Sequence, residues 1–117
     1  MRHISPGTRM SKAVIIGGIV FLAGQVPTDL EADIETQTAQ VLAGIEQVMV
    51  ELGGRKSDVA SVQVWLSDIN DIQRMNKVWD AWIDPDYPPA RATCAVQLAR
   101  QGMRIEMIAV ARCPKKI

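Results

Sequence analysis

Apolar and polar positions along this chain repeat with two different periods, and the places where one period gives way to the other mark its elements. Residues 13–17 (Ala-Val-Ile-Ile-Gly) and 19–23 (Ile-Val-Phe-Leu-Ala) are short apolar runs of β type. The pair Gly17-Gly18 divides them, and paired glycines supply positive φ cheaply, so a hairpin is predicted. A loop with Gly24, Pro27 and Asp29 follows. From Asp33 to Leu52 the period becomes helical: Ile34, Val41, Leu42, Ile45, Val48, Met49 and Leu52 fall in one arc of roughly 120°. Asp33 is a suitable N-cap and Gly53-Gly54 a stop. Residues 59–66 then alternate, which predicts a strand with Ala60, Val62, Val64 and Leu66 on one face and Ser61, Gln63 and Trp65 on the other.

A second helix is expected from a cap at Asp68 or Asn70 to about Ile83, striped by Ile69, Ile72, Met75, Trp79, Trp82 and Ile83. The run Asp84-Pro85-Asp86-Tyr87-Pro88-Pro89 ends it, because proline cannot continue a helix. The rest reads as two long strands, about 91–98 and 103–112, joined at Arg100-Gln101-Gly102. The predicted order is ββαβαββ: an α+β fold with one sheet and both helices packed on one face. The other face would carry Trp65 among small and polar side chains, and self-association is a natural way to cover it.

Composition narrows the class. A chain of 117 residues with 48% hydrophobic and 22% charged positions predicts a single domain over 1–117 with its own core. Thirteen Lys and Arg balance thirteen Asp and Glu, which argues against nucleic acid as the main partner, since such binding is driven by a basic surface. No run reaches the ~18 apolar residues of a membrane span. The segment Met1-Arg2-His3-Ile4-Ser5-Pro6 lacks the apolar block of a secretory signal. Cys94 and Cys113 lie outside any C-x-x-C pair, and His3 is the one histidine, so a soft-metal cluster is not expected. The expected setting is a reducing cytoplasm and the expected chemistry needs no metal. No G-x-G-x-x-G, Walker or G-x-S-x-G motif is present, and Lys115-Lys116 is too short to suggest nucleic-acid binding.

Three residues are out of place. Asn76 interrupts the apolar stripe of the second helix, where an amide must find partners or cost about 1–3 kcal/mol. It is either a core amide that ties down a loop or a group facing a pocket. Arg91 opens a strand of small residues, and a guanidinium there presents a donor fork suited to a carboxylate. Glu106 is embedded in Ile105-Glu106-Met107-Ile108-Ala109-Val110, where desolvation would raise its pKa towards the general-base range. Arg91 and Glu106 also admit a plain reading, as a structural ion pair or as two solvated edge residues.

Three segments carry a resemblance to a known family. Ala23-Gly24-Gln25-Val26-Pro27, Pro89-Ala90-Arg91-Ala92-Thr93 and Arg104-Ile105-Glu106-Met107-Ile108-Ala109-Val110 together resemble the reactive intermediate deaminase family, Rid, formerly YjgF. The likeness spans essentially the whole chain. It implies a chorismate-mutase-like fold and a homotrimer whose sheets form a central barrel, with pockets at the subunit interfaces. It also implies cofactor-independent hydrolysis of reactive enamines or imines, such as 2-aminoacrylate, to 2-oxo acids and ammonia. By position, Arg91 would hold the substrate carboxylate and Glu106 would position or activate water. Backbone groups near Gly24 and Thr93 would contact substrate, and Asn76 would line or support the pocket.

The sequence also departs from that family. Met10 stands where well-studied members carry tyrosine, Ala23 where they carry serine, and Thr93 where many carry cysteine. The loss of a phenol and a hydroxyl leaves the carboxylate clamp in place but keeps a second reading open, a trimer that binds small carboxylates without turnover. A third reading, RNA cleavage that inhibits translation, is disfavoured by the charge balance.

Overall fold

The computed structural model describes residues 1–114; the Lys115-Lys116 pair considered above lies outside them. Six strands and two helices follow in the order β1 (Arg2–Pro6), β2 (Ser11–Ile16), β3 (Ile19–Leu22), α1 (Ile34–Glu51), β4 (Val59–Leu66), α2 (Ile72–Trp82), β5 (Ala90–Ala95) and β6 (Ile105–Arg112). All six strands form one sheet in the order β1-β2-β3-β6-β4-β5. The chain is therefore βββαβαββ, one strand longer than its periodicity predicts. The additional strand β1 pairs antiparallel with β2, yet only Ile4 in it is even partly buried, so no alternation announces it.

The hairpin is where the glycines put it. Ile16 pairs with Ile19 across the two-residue turn, and Gly17 has φ of 58°. Helix α1 begins at the Asp33 cap, whose carboxylate accepts the Thr36 N–H at 2.8 Å. It ends at Glu51, and Gly53, just past the Leu52 cap, has φ of 84°. The whole predicted arc, Ile34 through Leu52, is buried. Before α2, a 3-10 turn at Ile69–Asp71 starts from Asp68, which accepts the Asn70 N–H, and α2 proper runs to Trp82.

One sheet register differs from expectation, and the strand order adds what periodicity does not give. The β4–β6 register shifts between Val59 and Ser61, so a bulge turns Val59 inward and leaves Ala60 exposed instead of buried. The final two strands are also not neighbours. Strand β6 inserts between β3 and β4, while β5 lies parallel to β4 at the sheet edge and stops at Ala95. Burial explains the choice. In β6, Ile105, Met107, Ala109 and Ala111 are all buried, whereas no residue of β5 is. The apolar strand takes the centre and the small, polar strand the rim.

Both helices cover the face that carries Ala13, Ile15, Val20, Leu22, Val62, Val64, Leu66, Ile105 and Met107. Gln37 of α1 is buried among them with every bond made. Its amide donates to the carbonyls of Ala32 (3.2 Å) and Gly102 (2.9 Å), and its Oε1 accepts the Arg104 N–H (2.8 Å), which ties the β5–β6 connection to α1. The opposite face is open, with Ile16, Ile19 and Phe21 each more than 40% exposed.

Candidate functional site

The predicted site residues fall into two groups on opposite faces of the sheet. The register decides this. Arg91 is the partner of Val62 and Thr93 the partner of Val64, so both point to the helix-covered face. Glu106 is the partner of Trp65, so it points to the open face. A single chain therefore does not bring Arg91 and Glu106 into one cleft, and the plain reading of an Arg91–Glu106 ion pair within the chain is excluded by the same geometry.

On the open face Glu106 lies against the loop after β3. That loop is stitched to β6 by reciprocal backbone bonds, Gln25 N to Met107 O at 2.8 Å and Met107 N to Gln25 O at 3.1 Å. The stitching presses Gly24 onto the Glu106 side chain so closely that a Cβ at position 24 would overlap the carboxylate Oε2 and sit 3.2 Å from Cδ. Gly24 is thus required by contact, not by backbone conformation. Burial pushes the Glu106 carboxyl upwards from its ordinary value. Gln25 turns away from this spot and packs towards Gly44 of α1, with its amide donating to Ala23 O at 3.0 Å.

The second group is built on the edge strand β5 and on α2. Arg91 is exposed, and its guanidinium stacks over the Trp79 ring at 5.0 Å, with Nη1 4.0 Å from the Met75 sulfur. Among the described residues no carboxylate pairs with it. A cation held by an aromatic face and a weak sulfur acceptor keeps most of its donors free for an anion. Thr93 lies on the same face, half-buried. Asn76 follows Met75 on α2, and its Oδ1 is buried without a hydrogen-bond partner. That orphan acceptor does not fit a core amide tying down a loop through its oxygen.

Met75 and Trp79 belong to the stripe that periodicity assigns to the core, and both are indeed buried. Their second role beside Arg91 has no local signal, because the strand that brings Arg91 to them lies beyond the next loop. Of two cavities near β5, only the smaller reaches a site residue. One of about 220 Å³ is lined by Ser61, Gln63, Ala90 and Arg91. A wider one of about 810 Å³ lies along the β5–β6 connection, with Ser67, Gln97, Arg100 and Arg104 in its wall, and touches neither Arg91 nor Glu106. Among the described residues no group of three or more His, Cys, Asp or Glu could hold a metal ion, and no helix is long and apolar enough to cross a membrane.

The fold and these side chains define a class: an α+β protein with one six-stranded sheet, two helices on one face, and an anion-receptive arginine and a half-buried acid on separate faces. A family model described as Endoribonuclease L-PSP matches residues 1–113. A RutC family protein of Haemophilus influenzae is 33% identical over 114 residues, covering 97% of this chain and 98% of the relative. The RutC family protein YoaB of Escherichia coli is 36% identical over 109 residues, covering 93% and 95%. Among solved structures, a YjgF family member from Neisseria meningitidis superposes with a TM-score of 0.92 at 38% identity, covering 97% of this chain and 95% of that one. RidA from an Antarctic Psychrobacter superposes with a TM-score of 0.81 at 30% identity, covering 91% and 89%. The chain belongs to this Endoribonuclease L-PSP family, whose members include the YjgF and Rid proteins.

Proposed function

We propose that this protein is a cofactor-independent hydrolytic deaminase of reactive enamine and imine intermediates of the 2-aminoacrylate type. The observation that carries the reading is Arg91, an exposed guanidinium held in place with no acid partner among the described residues. Such a group is suited to the carboxylate of a small amino-acid-derived substrate. Once the enamine has tautomerised to its imine, water adds to the imine carbon. The resulting carbinolamine expels ammonia, and a 2-oxo acid remains. Glu106 positions and activates that water, and burial, which raises its pKa, favours a carboxylate ready to take up a proton. The Gly24 backbone lies beside this acid, Thr93 shares the helix-covered face of β5 with Arg91, and Asn76 follows Met75, the α2 residue whose sulfur Arg91 approaches. The reaction is undemanding, since these imines hydrolyse spontaneously, and holding substrate and water together supplies much of the gain.

One chain separates Arg91 from Glu106, so the proposed working unit is a homotrimer of this single domain, with each pocket at an interface. The edge strand β5 of one protomer would bring Arg91 and Thr93, with Asn76 of α2 behind them, to the open face of the next, which supplies Glu106 and Gly24. The exposed Ile16, Ile19 and Phe21 support association through that face. The two free thiols, Cys94 and Cys113, agree with a reducing cytoplasm.

The test is release of ammonia and 2-oxo acid from imines generated in situ, comparing the wild type with Arg91→Ala. Acceleration lost in the variant is expected; uncatalysed rates from both across a panel of imines would overturn the reading. Met10 and Ala23 favour the runner-up, a small-carboxylate binder, which predicts calorimetric binding of 2-oxo acids with no turnover. The family description names an endoribonuclease, so RNA is incubated in parallel, and cleavage that disappears in Arg91→Ala would replace the deaminase reading. Sedimentation should show a trimer, and a stable monomer at micromolar concentration would contradict the shared pocket.

A further inference from the structure

We infer that Trp79 is a positioning residue for the carboxylate site, acting through Arg91. The inference rests on the reading of Arg91 as the carboxylate anchor. Arginine is a long, flexible side chain, and one left free on an edge strand would lose much rotamer freedom on binding an anion. Here the guanidinium sits over an indole, with Cζ 5.0 Å from the Trp79 ring centre. The platform is itself fixed. Trp79 is only 7% exposed, and its ring packs 6.1 Å from that of Trp82 at a tilt of 52°. Trp82 is pinned in turn by its Nε1 donating to Glu46 Oε1 at 3.1 Å and by the Lys56 ammonium, 5.5 Å from its ring centre. Lys56 also donates to the Trp82 carbonyl, so it is held from both sides. A continuous set of constrained groups thus runs from α1 through both tryptophans to Arg91.

The arrangement also selects which donors are free. Nη1 is turned towards the Met75 sulfur, a weak acceptor, and the guanidinium makes no other hydrogen bond among the described residues. The edge formed by Nε and Nη2 remains open, and that edge is one of the two that match a carboxylate with two parallel hydrogen bonds. Trp79 therefore prepays the orientation of the anchor and aims its fork, without itself touching the substrate.

The probe is pyruvate, titrated by calorimetry into the wild type, Trp79→Phe, Trp79→Leu and Arg91→Ala, each checked for wild-type assembly and cooperative unfolding. Loss of the ring should weaken binding about five-fold in Trp79→Leu, and Trp79→Phe, which keeps an aromatic face, should recover part of it. Because Trp79→Leu also removes core volume, a second arm uses Trp65→Phe/Trp82→Phe, which leaves Trp79 as the only tryptophan and keeps an aromatic ring packed against it while giving up the Glu46 bond. Pyruvate should shift Trp79 emission there by partly neutralising the charge over its ring, and the shift should vanish when Arg91→Ala is added. A merely structural Trp79 would give neither the partial rescue nor the spectral response. Wild-type affinity in folded Trp79→Leu, or binding without an emission change, overturns the inference. Undiminished binding in Arg91→Ala instead overturns the anchor reading, and the positioning role falls with it.

Discussion

Gly24→Ala tests the most constrained contact of the open-face group. Gly24 is not in the left-handed region, so alanine adds no backbone strain, and the whole effect is the new methyl. That methyl would overlap Glu106 Oε2, with Cδ at 3.2 Å, and the carboxylate must retreat by on the order of 1 Å to restore van der Waals separation. Overpacking of this kind costs about 1–3 kcal/mol of stability. For catalysis, a shift of about 1 Å in a positioned group is worth on the order of 100-fold in rate. Turnover of an imine substrate should fall by about that factor, while pyruvate affinity, set at Arg91, should change by less than about two-fold. Urea unfolding at fixed protein concentration, combined with Glu106→Ala, closes a double-mutant cycle. Without the Glu106 side chain the added methyl has room, and the penalty should largely disappear. An equal penalty with and without Glu106 would refute the steric reasoning. Full turnover in a folded Gly24→Ala would remove Glu106 from the mechanism.

Glu106→Gln should make the protein more stable than wild type at pH 7, with the difference fading below the ordinary carboxyl value of 4.5. Burial raises the folded-state pKa, so the contribution of Glu106 is present in acid and is lost as pH rises through the raised value. Asp33 and Glu51 move the opposite way, held low by hydrogen bonds from Thr36 and from Lys12, so the readout is the variant-minus-wild-type difference across a pH series of urea unfolding curves. The same shift should displace the acid limb of the rate profile upwards from the usual glutamate range. Asn76→Ala should change stability by less than about 1 kcal/mol, because its Oδ1 loses no bond, while weakening pyruvate binding. A loss of more than about 2 kcal/mol with unchanged affinity would return Asn76 to the core. Gln37→Ala should cost at least about 2 kcal/mol in urea unfolding, since it strands the Gly102 carbonyl and the Arg104 N–H in the interior; near-neutral behaviour would show that water replaces the amide.

Local periodicity determined a large part of this protein. Helix α1 was legible because an apolar arc, a capping aspartate and a terminal glycine all agree over its length. The β2–β3 hairpin and the alternation of β4 were legible for the same reason: side-chain direction repeats within a few residues. Arg91, Glu106 and Asn76 stood out because each breaks the pattern around it. Strand β1 was not legible, since a strand of mostly exposed residues forms only because β2 offers an unpaired edge. The bulge at Ala60 and the insertion of β6 between β3 and β4 belong to tertiary structure too, being settled by which strand gains most from central burial. That choice of register put Arg91 and Glu106 on opposite faces, joined Arg91 to Trp79, and pressed Gly24 onto Glu106. A sequence carries the direction of each side chain relative to its neighbours; which residues meet across a sheet depends on strand order, and the competition of the whole chain for one core decides that.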